Sequence, residues 1–416
     1  MKTKALLVTL LLGLLLGACG GGQTQLAEGG ISGTGISSGS ITGFGSIFVN
    51  GVEYDVDQAS FTRNGVVAGG QNEYHVGEYV TVTGKANPDG VTGTATSVDF
   101  SNVLLGAVTM ASADGVTLEV LGQRVSSNAL TIYSGFALLT DLVQGNVVEV
   151  SGVRDASGML LATNIRLLSG SYTPGETLEL KGTVGTVNAG NQTFTIGSLT
   201  VDYSAAVLQG FASGIPEAGQ YVEVQSQQAL QGGILFASSV EMQSTAIELD
   251  EGTEVELEGV ITRFVSASDF SVNGVPVMTD ARTQFEDGSA SDLSLNALVE
   301  VEGSVNAAGV LVAEEVSIKE SSSSQIEELE GAVTAINSGA RTFAFRDSDS
   351  AVTYTISVDT TTIWEDESAA AITQMNFTHL NVGDFLEVKT KTLSGGNLLA
   401  LRIKREDRED EEDDED

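Results

Sequence analysis

Residues 79–84 read Tyr79-Val80-Thr81-Val82-Thr83-Gly84, a strict alternation of apolar and polar side chains. A period of two is the pattern of a β-strand with one buried face and one solvated face. The same pattern returns in four later stretches, so the chain consists of five copies of one unit. The first inward apolar residues of these stretches are Val80, Val148, Val222, Val299 and Leu386.

Three further markers keep step with this strand. A glycine stands three residues before the inward residue, except in the fourth repeat, where Asn296 replaces it. Each repeat opens with glycine, any residue, and then Val or Ile, beginning with Gly39 and Ile41. Each repeat also ends with alanine followed three residues later by Val or Ile, which predicts a second strand and hence a hairpin. These final pairs are Ala95 and Val98, Ala162 and Ile165, Ala237 and Val240, Ala313 and Val316, and Ala400 and Ile403.

The sequence therefore predicts an all-β fold, a tandem array of five small OB-like or SH3-like β-barrel domains behind a lipoprotein signal peptide. About five strands in each repeat close most simply into a small barrel, which leaves no free sheet edge. The strand pattern leaves the OB-like and SH3-like orders open. A continuous β-solenoid is the alternative, but unequal spacing between repeats favours separate barrels. The expected domains are 39–102, 103–170, 177–246, 253–320 and 326–405, followed by a disordered acidic tail at 406–416.

The first residues have the three parts of an export signal. Lys2 and Lys4 precede an apolar stretch that is too short to span a membrane. The stretch ends in Leu16-Gly17-Ala18-Cys19, which resembles the lipobox of bacterial lipoproteins. The resemblance implies removal of residues 1–18, lipid attachment and acylation at Cys19, and stable anchoring on a membrane. Residues 19–38 are predicted to form a flexible tether.

Residue 20 and the overall charge bear on location and partners. Gly20 rather than Asp follows the cysteine, and by resemblance to the enterobacterial sorting pattern this favours the cell outer membrane. The formal net charge is −37, so the surface repels phosphate backbones and nucleic acid is not an expected partner. Cys19 is the only cysteine, so no internal disulfide is expected.

The first repeat carries a family resemblance. It reads Gly39-Ser40-Ile41-Thr42-Gly43-Phe44-Gly45-Ser46-Ile47-Phe48-Val49-Asn50-Gly51-Val52, followed later by Val76-Gly77-Glu78-Tyr79-Val80. These stretches resemble the bacterial family DUF5666, whose members are typically exported proteins or lipoproteins with tandem copies of the domain. The resemblance covers nearly the whole chain after residue 38 and is weakest in the fifth repeat, which lacks the Asn-Gly turn. It implies architecture and location but no activity.

No residue pattern indicates catalysis. The two histidines, His75 and His379, fall at similar loop positions with no cysteine or second histidine nearby, and we interpret both as loop residues rather than metal ligands. No Gly-x-Ser-x-Gly motif lies at a strand-to-helix junction. We therefore predict a protein that is not an enzyme, with no catalytic residues, no cofactor and no specific metal site.

Two sets of side chains recur at fixed positions of the repeat. The glutamates could in principle serve glycoside hydrolysis, but one per domain is better interpreted as a solvated face. The aromatics could stack on sugars or bases, although covering the barrel ends is the simpler interpretation. The glutamates are Glu149, Glu223, Glu300 and Glu387, and the aromatics are Tyr79, Tyr221 and Phe385.

Oxygen-rich loops suggest an alternative role in binding calcium. Asp55 with Asp57, Asp347 with Asp349, and Glu286 with Asp287 are such loops, but none continues into an EF-hand loop. The sequence thus favours a non-catalytic cell-envelope lipoprotein with a structural or binding role. The alternatives are an acidic protein that binds divalent cations weakly and a carbohydrate-binding or carbohydrate-active surface protein. Envelope glycans or proteins are the expected partners besides the membrane.

Overall fold

The computed structural model describes residues 34–243, 250–319, 326–393 and 397–408, and nearly all regular structure in them is β. The signal segment 1–18, Cys19 and the tail from 409 onward lie outside these residues. No helix in the described part of the chain is long and apolar enough to span a membrane.

Repeat 1 forms a closed ring of five strands. The first strand pairs with the second, and the second pairs with the third. The third strand runs parallel to the last strand of the repeat. The last strand pairs with the long strand before it, and that strand pairs with the first, which closes the ring. A short extra strand lies parallel to the far half of the last strand. This order is that of an OB-type barrel, and it settles the choice that the sequence left open. The strands of repeat 1 are β1 (Thr34–Gly43), β2 (Ile47–Val49), β3 (Val52–Asp55), β4 (Ser60–Arg63), β5 (Val66–Val67), β6 (Tyr79–Ala86) and β7 (Thr92–Phe100).

The other four repeats have the same strand order. Repeat 2 comprises β8 (Leu104–Met110), β9 (Thr117–Val120), β10 (Gln123–Ser126), β11 (Ile132–Ser134), β12 (Val147–Arg154) and β13 (Leu160–Ser169). Repeat 3, whose first and last strands are each interrupted, comprises β14 (Leu178–Thr183), β15 (Val187–Asn188), β16 (Thr193–Ile196), β17 (Leu199–Asp202), β18 (Val207–Gln209), β19 (Tyr221–Ser226), β20 (Ile234–Phe236) and β21 (Ser239–Met242).

Repeats 4 and 5 complete the series. Repeat 4 comprises β22 (Glu254–Ser266), β23 (Asp269–Val272), β24 (Val275–Met278), β25 (Gln284–Glu286), β26 (Leu298–Val305) and β27 (Leu311–Lys319). Repeat 5 comprises β28 (Ile326–Asn337), β29 (Thr342–Asp347), β30 (Thr353–Ser357), β31 (Ile363–Asp366), β32 (Phe385–Thr392) and β33 (Leu398–Glu406). In repeats 1, 2 and 5 a single 3-10 turn precedes the long strand that comes before the last one. These turns are Gln71–Glu73 before β6, Leu139–Asp141 before β12 and Phe377–His379 before β32.

The recurring sequence markers have structural causes. Val80, Val148, Val222, Val299 and Leu386 are all fully buried in their barrels. The alanine and the β-branched residue three positions later both face inward because a β-bulge lies between them: Thr83 pairs with Ser97, but Gly84 pairs with Ala95. The interval of three residues, rather than two, between the alanine and the β-branched residue therefore marks this bulge in the last strand.

The glycine three residues before the inward residue, such as Gly77 ahead of β6, is required by its backbone angle. Gly77 has φ +81°, and its amide donates to the carbonyl of Ile41 at 2.8 Å, closing the barrel. Asn296, the exception found in the sequence, has φ +69° and makes the same bond to Ile261 at 2.9 Å. Asparagine tolerates this left-handed conformation better than most residues, so it can replace glycine here.

Two sequence expectations need correction. Residues 34–38, assigned to the flexible tether, belong to β1, because they pair with β6 on one side and with β22 on the other. Each repeat also has one short strand in addition to the five that the sequence pattern predicted. In repeat 4 this strand is β25, the fourth along the chain. These strands are three or four residues long, too short to show a clear period.

Each ring closes within its own repeat, as expected for separate barrels rather than a solenoid, but the barrels are joined by backbone pairing. The first strand of repeat 1 runs parallel to that of repeat 4, from Gly35 with Glu254 to Ser38 with Leu257. The first strands of repeats 2 and 3 pair antiparallel, and these two repeats share one hydrophobic core. Repeat 1 also contacts repeats 2 and 5, so contacts do not simply follow chain order.

Candidate functional site

A cleft of about 500 Å³ lies where repeats 1, 2 and 5 meet. This volume is within the range of about 300–1,000 Å³ typical of small-molecule sites. The cleft depends on the assembly, because no single repeat supplies its walls. Its lining includes Phe44, Gln71, Tyr74, Tyr133, Trp364 and Glu367.

Two walls of the cleft come from the short fourth strands of repeats 2 and 5. Tyr133 on β11 pairs with Ile165, and Trp364 on β31 pairs with Ile403, so both aromatics lie opposite the same marker residue of their repeats. Trp364 is 5% exposed and packs edge-on against Phe377, with ring centroids 6.3 Å apart. Tyr133 is half-buried and offers more of its ring.

Repeat 1 supplies the floor. Phe44 lies in the turn between β1 and β2, and Tyr74 follows the 3-10 turn. The Tyr74 hydroxyl lies 2.5 Å from the carbonyl oxygen of Thr62 and 2.9 Å from that of Val98 and shares its one proton between them, so it is fixed from within the barrel. These bonds make the floor rigid and leave its hydroxyl unavailable to a ligand.

The carboxylates at the cleft are mostly neutralised by cations behind them. Glu365 is ion-paired with Arg402, and Asp366 accepts from Arg405 Nε at 3.0 Å. Burial opposes ionisation of Asp366, but hydrogen bonds from Arg405 and Ser368 hold its pKa well below its usual range. Neither carboxylate is free to act as a general acid or base.

One buried acceptor in the cleft has no partner among the described residues. This atom is Oε1 of Gln71, on the 3-10 turn of repeat 1. A buried amide oxygen without a hydrogen bond is costly. Gln71 thus lines the cleft with an amide whose oxygen lacks a hydrogen-bond partner in the described part of the chain, and a hydroxyl or amide donor that reached this oxygen would satisfy it.

The recurring glutamates are not a solvated face, contrary to expectation. Each of the four forms an ion pair with a cation on its barrel surface or across a junction. Glu149 is the most buried, and its Oε2 lies 3.2 Å from Arg63 of repeat 1 and 2.5 Å from Arg166. The others pair with Lys181, Lys319 and Lys404: Glu223 at 3.5 Å, Glu300 at 3.2 Å and Glu387 at 2.7 Å.

The other sequence candidates also have structural partners. His75 Nδ1 lies 3.1 Å from Glu78 Oε1, and His379 Nδ1 accepts from the Asn376 amide at 3.2 Å, so the two rings support loops in different repeats. The Tyr79 hydroxyl donates to the carbonyl of Glu258 at 2.6 Å, across the junction of repeats 1 and 4.

The candidate calcium loops use their oxygens locally. Asp55 Oδ1 accepts from the Asp57 amide at 2.9 Å, and Asp347 Oδ2 accepts from the Ser350 amide at 2.7 Å. Asp287 lies 3.4 Å from Lys391. Within the described ranges, no three His, Cys, Asp or Glu side chains are grouped so as to hold a metal ion.

Sequence reasoning missed Trp364 and Tyr133. The sequence did contain a pattern that could have indicated them. In four of the repeats an aromatic residue on the short fourth strand lies opposite the marker Val or Ile of the last strand, and Leu208 holds this position in the remaining repeat. The spacing from this residue to the marker Val or Ile varies with loop length, which hides the alignment. Only the fold shows that the copies from repeats 2 and 5 face one cleft.

Comparisons with known proteins address the family and the fold. No curated protein matches the chain. Among solved structures, a Cu(II)-bound variant of CusF from Escherichia coli shares 13% identity, covering 20% of this chain and 95% of that one, with a TM-score of 0.15. The Drosophila Unr fragment CSD456 shares 12% identity, covering 54% of this chain and 95% of that one, with a TM-score of 0.14. These scores are too low to carry an argument.

The family profile described as "Domain of unknown function (DUF5666)" matches five times, which confirms the resemblance drawn from the first repeat. The matches cover 35–99, 106–166, 181–241, 258–317 and 330–404, most of the chain. The protein therefore belongs to the DUF5666 family, as a tandem array of five such domains.

Proposed function

We propose that this protein is a non-catalytic, lipid-anchored envelope protein that binds a small uncharged ligand, most simply a unit of an envelope glycan, in the cleft between repeats 1, 2 and 5. The observation that carries the proposal is the cleft itself, because three repeats that are not consecutive along the chain combine to form it. Sites at domain junctions are common places for ligands.

The chemistry of the lining supports an uncharged polar ligand. The net charge of −37 repels polyanions, and Glu365 and Asp366 are already ion-paired. What remains available is the unpartnered Gln71 acceptor, the half-buried Tyr133 ring and the edge of Trp364. Donor groups on a sugar would satisfy the amide oxygen, and its apolar face would contact the rings.

The same observations favour binding over catalysis. Glycoside hydrolysis needs two facing carboxyl groups with different protonation states. Three carboxylates line the cleft here, and two of them, Glu365 and Asp366, are held by Arg402 and Arg405. Burial raises the pKa of Glu365, whereas hydrogen bonds outweigh burial and lower the pKa of Asp366, but these two residues are neighbours on β31 and point to opposite faces of the strand rather than toward each other. The envelope address rests on residues 1–19, which lie outside the described residues, and on the family resemblance.

Trp364 is the only tryptophan in the chain and lines the cleft, so its fluorescence can report a ligand that binds there. We would titrate the full chain in detergent with N-acetylglucosamine oligomers and with maltotriose. We expect a saturable shift in emission and at least a tenfold weaker affinity for Tyr133→Leu. Phe285→Leu is the matched control, since Phe285 holds the same position in repeat 4 and lies outside the cleft. Absence of saturable binding to both sugars, or equal losses in the two variants, would refute the glycan assignment.

A further inference from the structure

The junction of repeats 1 and 4 has a different chemistry from the cleft. β1 and β22 run parallel there, and each is flanked on its other side by an antiparallel strand of its own barrel. Glu256 points outward from the barrel of repeat 4, but repeat 1 covers it and leaves it 1% exposed. Glu256 is thus removed from water, and no arginine or lysine in the described ranges forms an ion pair with it.

The hydrogen bonds around Glu256 come from repeat 1 and are incomplete. Ser37 Oγ donates to Glu256 Oε2 at 2.9 Å and accepts from Asn50 Nδ2 at 3.1 Å. Glu256 Oε1 has no partner among the described residues, and neither has the buried hydroxyl of Tyr54 nor Oδ1 of Asn50. One donor is too few for an ionised carboxylate in a dry junction.

The charged groups that face Glu256 are mainly acidic. Glu258 lies on the same strand, Glu300 and Glu302 lie on β26, and Glu315 lies on β27. Lys319, the cation of this cluster, is 3.2 Å from Glu300. From repeat 1, Tyr54 on β3 faces Glu256 and Tyr79 on β6 faces Glu258. Burial raises the pKa of both tyrosines, and the charges of Glu256 and Glu258 respectively raise it further.

Burial, followed by the charges of Glu300 and Glu302, raises the pKa of Glu256 well above 4.5. Burial and Glu300 likewise raise the pKa of Glu258 to about 7, and burial and Glu286 raise that of Glu315 to about 7. A carboxyl that is neutral near pH 7 is compatible with the dry junction, whereas a carboxylate is not.

We propose that the junction of repeats 1 and 4 is a clasp operated by protons, closed while Glu256 carries its proton and opened when Glu256 and its neighbour Glu258 ionise. Ionisation makes water the better environment for these groups, and water can reach Glu256 only if β1 separates from β22. Because the raised groups are neutral in the closed form, closure is fully favoured at low pH and weakens as the pH rises.

Hydrogen–deuterium exchange tests the clasp in the full chain in detergent. Peptides that cover 34–38 and 254–258 would be compared at pH 6 and pH 9, after correction for intrinsic exchange rates. In the wild-type chain we expect protection of both peptides to fall at least tenfold at pH 9. Glu256→Gln, which keeps the shape but cannot ionise, should keep most of that protection.

Glu328→Gln is the matched control. Glu328 holds the corresponding position in the first strand of repeat 5, but it is exposed and lies 3.6 Å from Lys389, so this variant should behave as the wild type. Equal wild-type protection at the two pH values would overturn the clasp, as would the same loss in Glu256→Gln. Restoration of protection at pH 9 by millimolar calcium would also overturn it, since the junction would then be a cation site. If Glu256→Gln does not fold, Glu258→Gln gives the same test, with a smaller loss of protection expected than in the wild type.

Discussion

Arg63 is expected to be a major contributor to the stability of the joined repeats 1 and 2. Its guanidinium bonds Glu78 at 2.7 and 2.9 Å and Glu149 of repeat 2 at 3.2 Å. It also lies 4.1 Å from the centre of the Phe100 ring. The side chain of Glu78 is 2% exposed, and burial opposes its ionisation, but His75 and Arg63 hold its pKa below the usual range.

Arg63→Met removes the charge and keeps most of the apolar stem. Glu149 retains Arg166, but Glu78 is left with the backbone amide and the partly exposed ring of His75. Removing one partner of a buried ion pair costs about 3–5 kcal/mol, because the remaining charge stays in a poor environment. We expect a loss of this size in the unfolding transition that includes repeats 1 and 2, measured by urea denaturation with circular dichroism on the full chain in detergent.

Arg263→Met is the control for this measurement. Arg263 also pairs with a carboxylate, Asp269 at 2.7 Å, but both side chains are about half exposed. Exposed pairs contribute about 0–1 kcal/mol. Adding Glu78→Gln to Arg63→Met should recover part of the lost stability. The reasoning fails if Arg63→Met costs no more than Arg263→Met, or if the added Glu78→Gln recovers nothing.

Four further outcomes are expected. Asn296→Val should cost about 1–2 kcal/mol more than Asn296→Gly in thermal or urea unfolding, because a β-branched residue resists φ +69°; equal costs would contradict the left-handed backbone. Glu258→Gln should gain stability relative to the wild type as the pH rises from 5 to 8, since the raised pKa of about 7 means that the wild type loses stability through this range. Glu387→Gln should be less stable than the wild type at pH 5 and above, and the difference should shrink as the pH falls below about 4.5, because burial is outweighed by Lys404, which lowers the pKa of Glu387. Cys19→Ala should release the protein from membrane fractions or block its processing, and unchanged membrane association would argue against lipidation.

The sequence by itself determined the repeated unit. Alternating residues such as Val80 and Val82 must face one core, and glycine or Asn296 must stand where the backbone enters the left-handed region, so these features can be read without coordinates. The interval between Ala95 and Val98 also carried the bulge, although its cause became clear only from the strand register.

Only the tertiary structure decided how the five barrels meet. Periodicity describes a core within one repeat, but the junctions depend on polar side chains such as Ser37, Arg63 and Tyr79, whose partners lie far away in the chain. For the same reason Glu149 was expected in solvent and is buried against repeat 1. The cleft beside Trp364 exists because repeats 1, 2 and 5 pack together, and no local pattern encodes which repeats become neighbours.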